Sequence, residues 1–412
     1  MKKIFASTGL VFIIVLFLMI PIAKSQTKGL DLDNPIKIGY LNSFTGPAAL
    51  GTAKDLPGLY LAIEEINADG GVLGRPLKLI PRDDKLNPEQ ALRETKDLVL
   101  NDKVFWVQGT LSSSAARAVS EYMRTQKKIF VIESAKSEKL TAEWGHRYVF
   151  RATNNAYMEA VAIASGCVKN FGPLKKIYNL SPDYEGGVSA WRTFFDAYKK
   201  LVPDAKLVGE AWPKLGTQEF TAYLTAILNS EAELLFTSFY QTDALTMLKQ
   251  SIAVGLNGKI AMAGFWHGMI ETVEKFNAEF YPKKTVANSV YPFWAIDTPE
   301  SKIFVEKVKA RQGVYPGYGA CGYTFVKAMA ESIKKVGSLD TEKVIDALEG
   351  AIVDSPVGKI EIRGCDHQAM WPSGVGLIGE LPKWNMFATK NVILVGKEAY
   401  PTCEEIVKLR KR

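Results

Sequence analysis

Apolar runs of strand type and apolar positions at helical spacing alternate along this chain. Ile36 to Leu41 reads as a first strand. Leu56, Leu59, Ile63 and Ile66 then recur at helical spacing, and Asp69-Gly70-Gly71 ends that helix. Leu77 to Ile80 is a second strand. Asn87-Pro88-Glu89-Gln90 starts the next helix, with Asn87 as cap, Pro88 in the first turn and Gln90 reaching back as in a capping box. Leu92, Thr95 and Val99 continue it. Val104 to Val107 is a third strand, Ala115 to Met123 a third helix and Ile129 to Ile132 a fourth strand.

After about residue 152 the alternation restarts. Ile177 to Leu180 is a strand, and Val188, Trp191, Phe194, Phe195 and Tyr198 mark a helix face. Lys206 to Glu210, Leu234 to Ser238 and Ile260 to Ala263 are further strands, separated by helices over Phe220 to Leu228 and through Leu248. Strand and helix in regular alternation predict open parallel sheets covered by helices on both faces. Helices near 299–311, 319–336 and 341–349 follow with too few strands for a third sheet, so they are expected to return to an existing lobe. The fold class expected is α/β with two lobes, lobe 1 over residues 36–152 plus 290–356 and lobe 2 over 153–289 plus 357–403. A chain that passes between lobes several times has a natural hinge.

Composition narrows the class. Of 412 residues 47% are hydrophobic and 23% charged, which is ordinary for a globular protein. Lys2 and Lys3, then the uncharged stretch Phe12 to Ile22 and the small-residue site Ala23-Lys24-Ser25, predict a signal peptide over 1–25, cleaved before Gln26. The alternative is an uncleaved membrane anchor, since the apolar stretch from Ile4 is long enough to span. No other stretch approaches the roughly 18 uninterrupted apolar residues of a spanning helix. The formal charge is +7, and removing the three lysines of residues 1–25 leaves about +4. The basic tail at 404–412 reads as solvated surface, and nothing in the chain resembles a nucleic-acid-binding pattern. Cys167, Cys321, Cys365 and Cys403 form no CxxC pair. Cys365 and Cys403, in the loop-rich C-terminal part, are the candidate disulfide, and Cys167 and Cys321 read as buried thiols.

In open parallel sheets a ligand sits beyond the carboxyl ends of the strands. Asn42 to Pro47, Gly109 to Ser114 and Glu133 to Lys136 occupy those ends in the first sheet. Ser181 to Tyr184, Phe239 to Gln241 and Gly264 to His267 do so in the second. One wall offers hydroxyls and backbone donors and the other offers rings, which suits a small molecule with an anionic head and an apolar body. Ser112-Ser113-Ser114 joins a strand to a helix start, where free N–H groups and the helix dipole favour a carboxylate, although a serine there can equally serve only as a cap. Lys136 can add positive charge, or be a solvated loop lysine. Tyr184, Tyr240, Phe265 and Trp266 can stack on a solute, or simply pack. His146, His267 and His367 are not at metal-ligand spacing, and no nucleophile elbow or Walker loop occurs. Asp83-Asp84 reads as a turn and cap pair. No enzyme activity, metal or cofactor is expected.

The segments IKIGYLNSFTGPAALG, AIEEINADGGVLGRPLKLIPRDD, NPEQALRETKDLV, GTLSSSAARAVS, SPDYEGG and QEFTAYLTAI, in this order and spacing, resemble the periplasmic solute-binding proteins of the leucine/isoleucine/valine type that serve ABC importers. The resemblance covers Ile36 to about residue 365. It implies a two-lobed type I periplasmic binding protein fold, each lobe an open parallel sheet flanked by helices, with three hinge crossovers and closure around a solute in the manner of a Venus flytrap. It implies a periplasmic protein acting as a monomer with ABC transporter permease subunits as partners. The family's carboxylate-binding serine loop matches Ser112 and Ser113. Its next binding loop matches Ser134 and Lys136, its second-lobe tyrosine matches Tyr184, and its next aromatic strand end matches Phe239 and Tyr240. Members that bind amino acids hold the ammonium with a hydroxyl, where this chain has Lys136, and with an acid that falls in Gly264-Phe265-Trp266-His267, where it has none. The pocket is therefore expected to take a small carboxylate ligand, aromatic or hydrophobic, that needs no amine. An amino-acid binder and a ligand sensor on the same fold are the alternatives.

Overall fold

The structure, a computed structural model, describes residues 30–46 and 48–410. The expected signal peptide and its cleavage site lie outside them. The chain begins with β1 (Ile36–Asn42), α1 (Ala49–Ala68), β2 (Leu77–Asp83), α2 (Pro88–Leu100), β3 (Trp106–Gly109), α3 (Ser113–Thr125), β4 (Ile129–Ile132) and β5 (Val149–Arg151). These strands make one parallel sheet in the order β2-β1-β3-β4-β5. β2 runs through Pro81, which an edge strand tolerates because one of its sides makes no ladder. Asn87 caps α2 by accepting from the Gln90 amide at 2.9 Å. The capping box stays half-formed, because the Gln90 side chain turns instead to Glu94 and Arg93.

The chain then crosses to a second layer: α4 (Ala156–Phe171), β6 (Lys176–Leu180), α5 (Glu185–Leu201), β7 (Lys206–Ala211), α6 (Thr221–Leu228), β8 (Leu234–Thr237), α7 (Gln241–Ala253), β9 (Ala261–Gly264), α8 (Ile270–Val273) and β10 (Thr285–Ser289). It returns through α9 (Pro299–Gln312), α10 (Gly319–Val336) and α11 (Thr341–Leu348), of which α9 and α10 pack on α1. Gly58 and Gly319 make that packing close, since a Cβ on Gly58 would fall 2.1 Å from the Gly319 carbonyl oxygen. The hairpin β11 (Ile352–Ser355) and β12 (Gly358–Glu361) follows. The chain then re-enters the second sheet as β13 (Ser373–Leu381) and β14 (Met386–Val395), and ends in α12 (Cys403–Arg410).

The second sheet has the order β14-β13-β10-β9-β8-β6-β7. β13 joins β10 antiparallel and β14 pairs antiparallel with β13, an extension of the parallel core that the sequence pattern did not announce. Three crossovers join the layers and bond to one another. Gln368 Nε2 donates to the Thr153 carbonyl at 2.5 Å, Asn154 Nδ2 to the Pro372 carbonyl at 3.2 Å, and Trp371 Nε1 to the Val290 carbonyl at 2.8 Å. Cys365 and Cys403 form a disulfide, while Cys167 and Cys321 are buried thiols. The basic end is not wholly solvated as expected. Arg410 donates to the carbonyls of Thr141, Ala142 and Cys365, and Ile406 is buried beneath it.

Among the described residues no helix is long and apolar enough to cross a membrane.

Candidate functional site

The carboxyl ends of both sheets face each other across a narrow cleft lined by Leu111, Ser134, Lys136, Tyr184, Tyr240, Gln241, Trp266, Met269, Glu271 and Tyr318. Loops after β3 and β4 supply one wall. Loops after β6, β8 and β9 supply the other, and the residue that starts α10 closes one side. The walls are in contact. The Gly51 amide donates to Gln241 Oε1 at 3.1 Å, Lys54 pairs with Glu274 at 2.6 Å, and Ser137 Oγ donates to Glu185 Oε1 at 3.0 Å. These contacts define a closed clamp.

The first wall is built by short-range geometry. Gly109 ends β3 at φ +131°, and a Cβ there would lie 1.7 Å from the Leu41 carbonyl oxygen. Only glycine fits against β1 at that point. Ser112 caps α3, its Oγ accepting from the Ala115 amide at 3.3 Å. Ser113 Oγ accepts from the Lys136 and Ser137 amides at 3.2 and 3.1 Å. Both serine side chains therefore serve the fold: one holds the helix, the other fixes the loop after β4. Neither lines the cleft. Arg151 grips the same loop from behind, donating to the Ala135 and Ser137 carbonyls at 3.0 and 2.6 Å. Sequence reading missed Arg151, because a lone arginine at a strand end carries no pattern. In this loop Ser134 Oγ is buried without a hydrogen-bond partner. A hydroxyl left so is costly unless something else satisfies it.

Lys136 lies in the cleft, but its charge is not free. Its Nζ stands 2.9 Å from Glu159 Oε1 and donates to Thr153 Oγ1 and to the carbonyl and side chain of Asn154. It also sits 4.9 Å from the centre of the Tyr318 ring. Burial pushes the Lys136 ammonium down and the Glu159 carboxyl up, and their mutual attraction opposes both shifts. The expectation of an uncompensated cation, or of a solvated loop lysine, is thus corrected. Lys136 is 3% exposed and neutralised by a glutamate from the facing layer.

The second wall carries rings, though not all those expected. Tyr184, Tyr240 and Trp266 line the cleft. Tyr184 and Tyr240 have ring centres 6.4 Å apart, and Tyr240 and Trp266 5.7 Å. The Tyr240 hydroxyl makes no well-directed hydrogen bond, and its near polar neighbour is the Tyr184 hydroxyl. Phe239 and Phe265 are fully buried instead, Phe239 edge-on to Phe220 and Phe265 tilted against Phe236, so the loops after β8 and β9 turn them to the core. Trp266 holds φ +67° and Gln241 φ +48°, backbone states that bulky residues seldom take. The Trp266 amide is pinned by Asn288 Oδ1 at 2.6 Å and its Nε1 donates to Glu159 Oε2 at 2.7 Å. Strain maintained at two neighbouring wall positions is the mark of a site whose shape matters.

Asp83 and Asp84 form a turn pair outside the cleft, as their sequence suggests. Asp83 and Asp84 receive hydrogen bonds from Phe44, Thr45, Ser43, Lys85 and Leu86, tying down the loop after β1.

The second lobe does present an acid. Glu271, at the start of α8, lines the cleft and is 3% exposed, and burial pushes its carboxyl up to about 7. It stands four residues beyond His267, outside the segment where the resemblance placed the acid, so the premise that this wall lacks one is overturned. Its signal was available in Met269-Ile270-Glu271, a charged residue directly after an apolar pair, but nothing fixed its direction.

A family model described as periplasmic binding protein matches residues 35–376. The chain belongs to that family. A Leu/Ile/Val-binding protein homolog 4 of Brucella melitensis biotype 1 is 25% identical over 361 residues, covering 82% of each chain. A leucine-, isoleucine-, valine-, threonine- and alanine-binding protein of Pseudomonas aeruginosa is 23% identical over 350 residues, covering 84% of this chain and 90% of its own. Among solved structures, an ABC transporter solute-binding protein of Rhodopseudomonas palustris BisB5, in complex with 3,4-dihydroxybenzoic acid, aligns with a TM-score of 0.78. It is 21% identical over 88% of this chain and 98% of that one, and at that identity it attests the type I fold alone.

Proposed function

We propose that this chain is the periplasmic solute-binding component of an ABC importer and that it captures a small carboxylate-bearing solute with an apolar, aromatic-compatible body. It closes on the solute as a monomer and presents it to the permease subunits, with no covalent chemistry. One observation carries the reading. The unpartnered Ser134 hydroxyl sits with Lys136 on one wall, facing the Tyr184, Tyr240 and Trp266 rings on the other, in one small cleft. The Ser134 hydroxyl suits a carboxylate head, the Lys136–Glu159 pair leaves the cleft base without net charge from that lysine, and ring faces suit a flat apolar body. The α3 N-terminus lies behind the same loops and favours negative charge. Relatives named for branched-chain amino acids and a fold neighbour solved with a dihydroxybenzoic acid bracket the solute class.

Calorimetric titration of the purified protein with benzoate, hydroxylated benzoates, aliphatic acids and branched-chain amino acids tests this. Saturable binding of aryl acids is expected. Tight binding of leucine or valine with no response to any aryl acid contradicts it.

A further inference from the structure

The helix α1 begins without a cap of its own. Ala48 stands at its N-cap position and makes no side-chain cap bond, and no acid lies in the first turn. A cap side chain ordinarily accepts from the second or third helical amide. At the third residue here, the Gly51 amide donates instead to Oε1 of Gln241, 190 positions along the chain, at 3.1 Å. Gln241 opens α7 on the opposite wall of the cleft and is 1% exposed. Its backbone is held at φ +48°, a state that costs free energy in a residue other than glycine. Glycine at position 51 permits the approach, since a Cβ there would fall 2.2 Å from Gln241 Nε2. One turn further, Lys54 reaches across to Glu274 at 2.6 Å, so the first turns of α1 are gripped twice from the facing wall.

We propose that Gln241 is a positioning residue that latches the closed clamp by capping α1 from the opposite wall, with Gly51 as its seat. The inference rests on the reading that this chain captures its solute by closing, and it names what holds the clamp shut besides the solute. Opening parts Gln241 from Gly51 and returns both groups to water. Closure restores the cap where solvent is excluded and the helix end needs an acceptor. The bond runs between the walls and not to the solute, so it favours the closed form by the same amount whichever solute is held. It therefore lengthens residence without altering the ranking of solutes. A side chain that reads the solute would change that ranking.

The test compares wild type with Gly51→Ala, Gln241→Leu and the double variant. Benzoate, 4-hydroxybenzoate, leucine and valine are titrated calorimetrically, dissociation is followed by stopped-flow tryptophan fluorescence, and small-angle X-ray scattering gives the radius of gyration without solute. Alanine suits a helix better than glycine, so Gly51→Ala should melt no lower than wild type. It should nonetheless bind every compound that wild type binds roughly fivefold more weakly, through faster dissociation. Gln241→Leu should lose a similar factor, and the double variant no more than the weaker single variant, since both break one bond. Wild-type affinity in Gly51→Ala overturns the latch. So do losses that differ among the compounds, or that multiply in the double variant. Binding of leucine and valine alone defeats the aryl-acid reading and leaves the latch to the same criteria. If wild type binds none of the four, the solute reading fails and scattering decides the latch. Both single variants should then have a larger radius of gyration than wild type, and equal radii overturn the proposal.

Discussion

Lys136 Nζ lies 2.9 Å from Glu159 Oε1, and this buried pair joins the loop after β4 to the helix α4 of the facing layer. Both side chains are at most 4% exposed, and Trp266 Nε1 completes the carboxylate's second oxygen at 2.7 Å. The pair therefore spans the clamp at its base. It also decides how much positive charge the cleft can offer a solute.

Removing one partner leaves a buried charge alone. Glu159→Gln is expected to lower stability by about 3–5 kcal/mol, whereas Lys136→Met with Glu159→Met together costs less than either single change. An anionic solute can stand in for the lost carboxylate, so its stabilising shift in thermal melting should be larger in Glu159→Gln than in wild type. Unfolding in urea and melting with and without solute check both outcomes.

The ring wall should act on the body of the solute alone. Tyr184→Leu is expected to weaken aryl-acid binding by about 0.5–1.5 kcal/mol beyond its effect on aliphatic acids of similar size. Equal losses for both classes in calorimetry would take Tyr184 out of the stacking role.

Buried acids make stability fall as pH rises. Burial pushes Glu133 up to about 8, against the hydrogen bonds of Gln108 and Tyr40, and pushes Glu271 up to about 7. Between the unfolded carboxyl value near 4.5 and these folded values the folded chain binds more protons than the unfolded one, so stability declines with increasing pH. His146 and His267, held down to about 4 by burial, act oppositely, but only below about pH 6.5. The melting temperature should therefore decrease from pH 6.5 to about 8.5, and Glu133→Gln should flatten the decline. A melting temperature that rises across this window contradicts the assignment.

The disulfide ties the C-terminal helix to the crossover region across a sequence separation of 38. Reduction, or Cys365→Ser with Cys403→Ser, is expected to cost about 3–4 kcal/mol by loosening that loop in the unfolded chain. Limited proteolysis should then remove α12 first, since only a small apolar cluster at Ile406 and Leu409 and the Arg410 hydrogen bonds are described as holding it. An unchanged proteolytic pattern would mean that these contacts suffice.

Much of this architecture is legible in the sequence because alternation of strand and helix repeats twice with good start and stop signals, such as Asn87-Pro88 for a start and Asp69-Gly70-Gly71 for a stop. The strands beyond α11 were not legible. β13 contains three glycines, and β14 shows no clean alternation, so neither reads as part of a parallel core. In the site, the loops were found from strand ends, but the direction of each side chain was not. Phe239 and Phe265 turn inward while their neighbours Tyr240 and Trp266 turn to the cleft, a difference of one residue in a loop without a fixed period. The partners of Lys136 were hidden because Glu159 lies in the next layer, 23 positions on, with no motif linking them.

A crystal structure with the captured solute in place tests the central claim most directly. The account predicts a carboxylate within hydrogen-bonding distance of Ser134 Oγ and a body enclosed by Tyr184, Tyr240 and Trp266. A solute whose acid group points to solvent, or that sits outside this cleft, would contradict it.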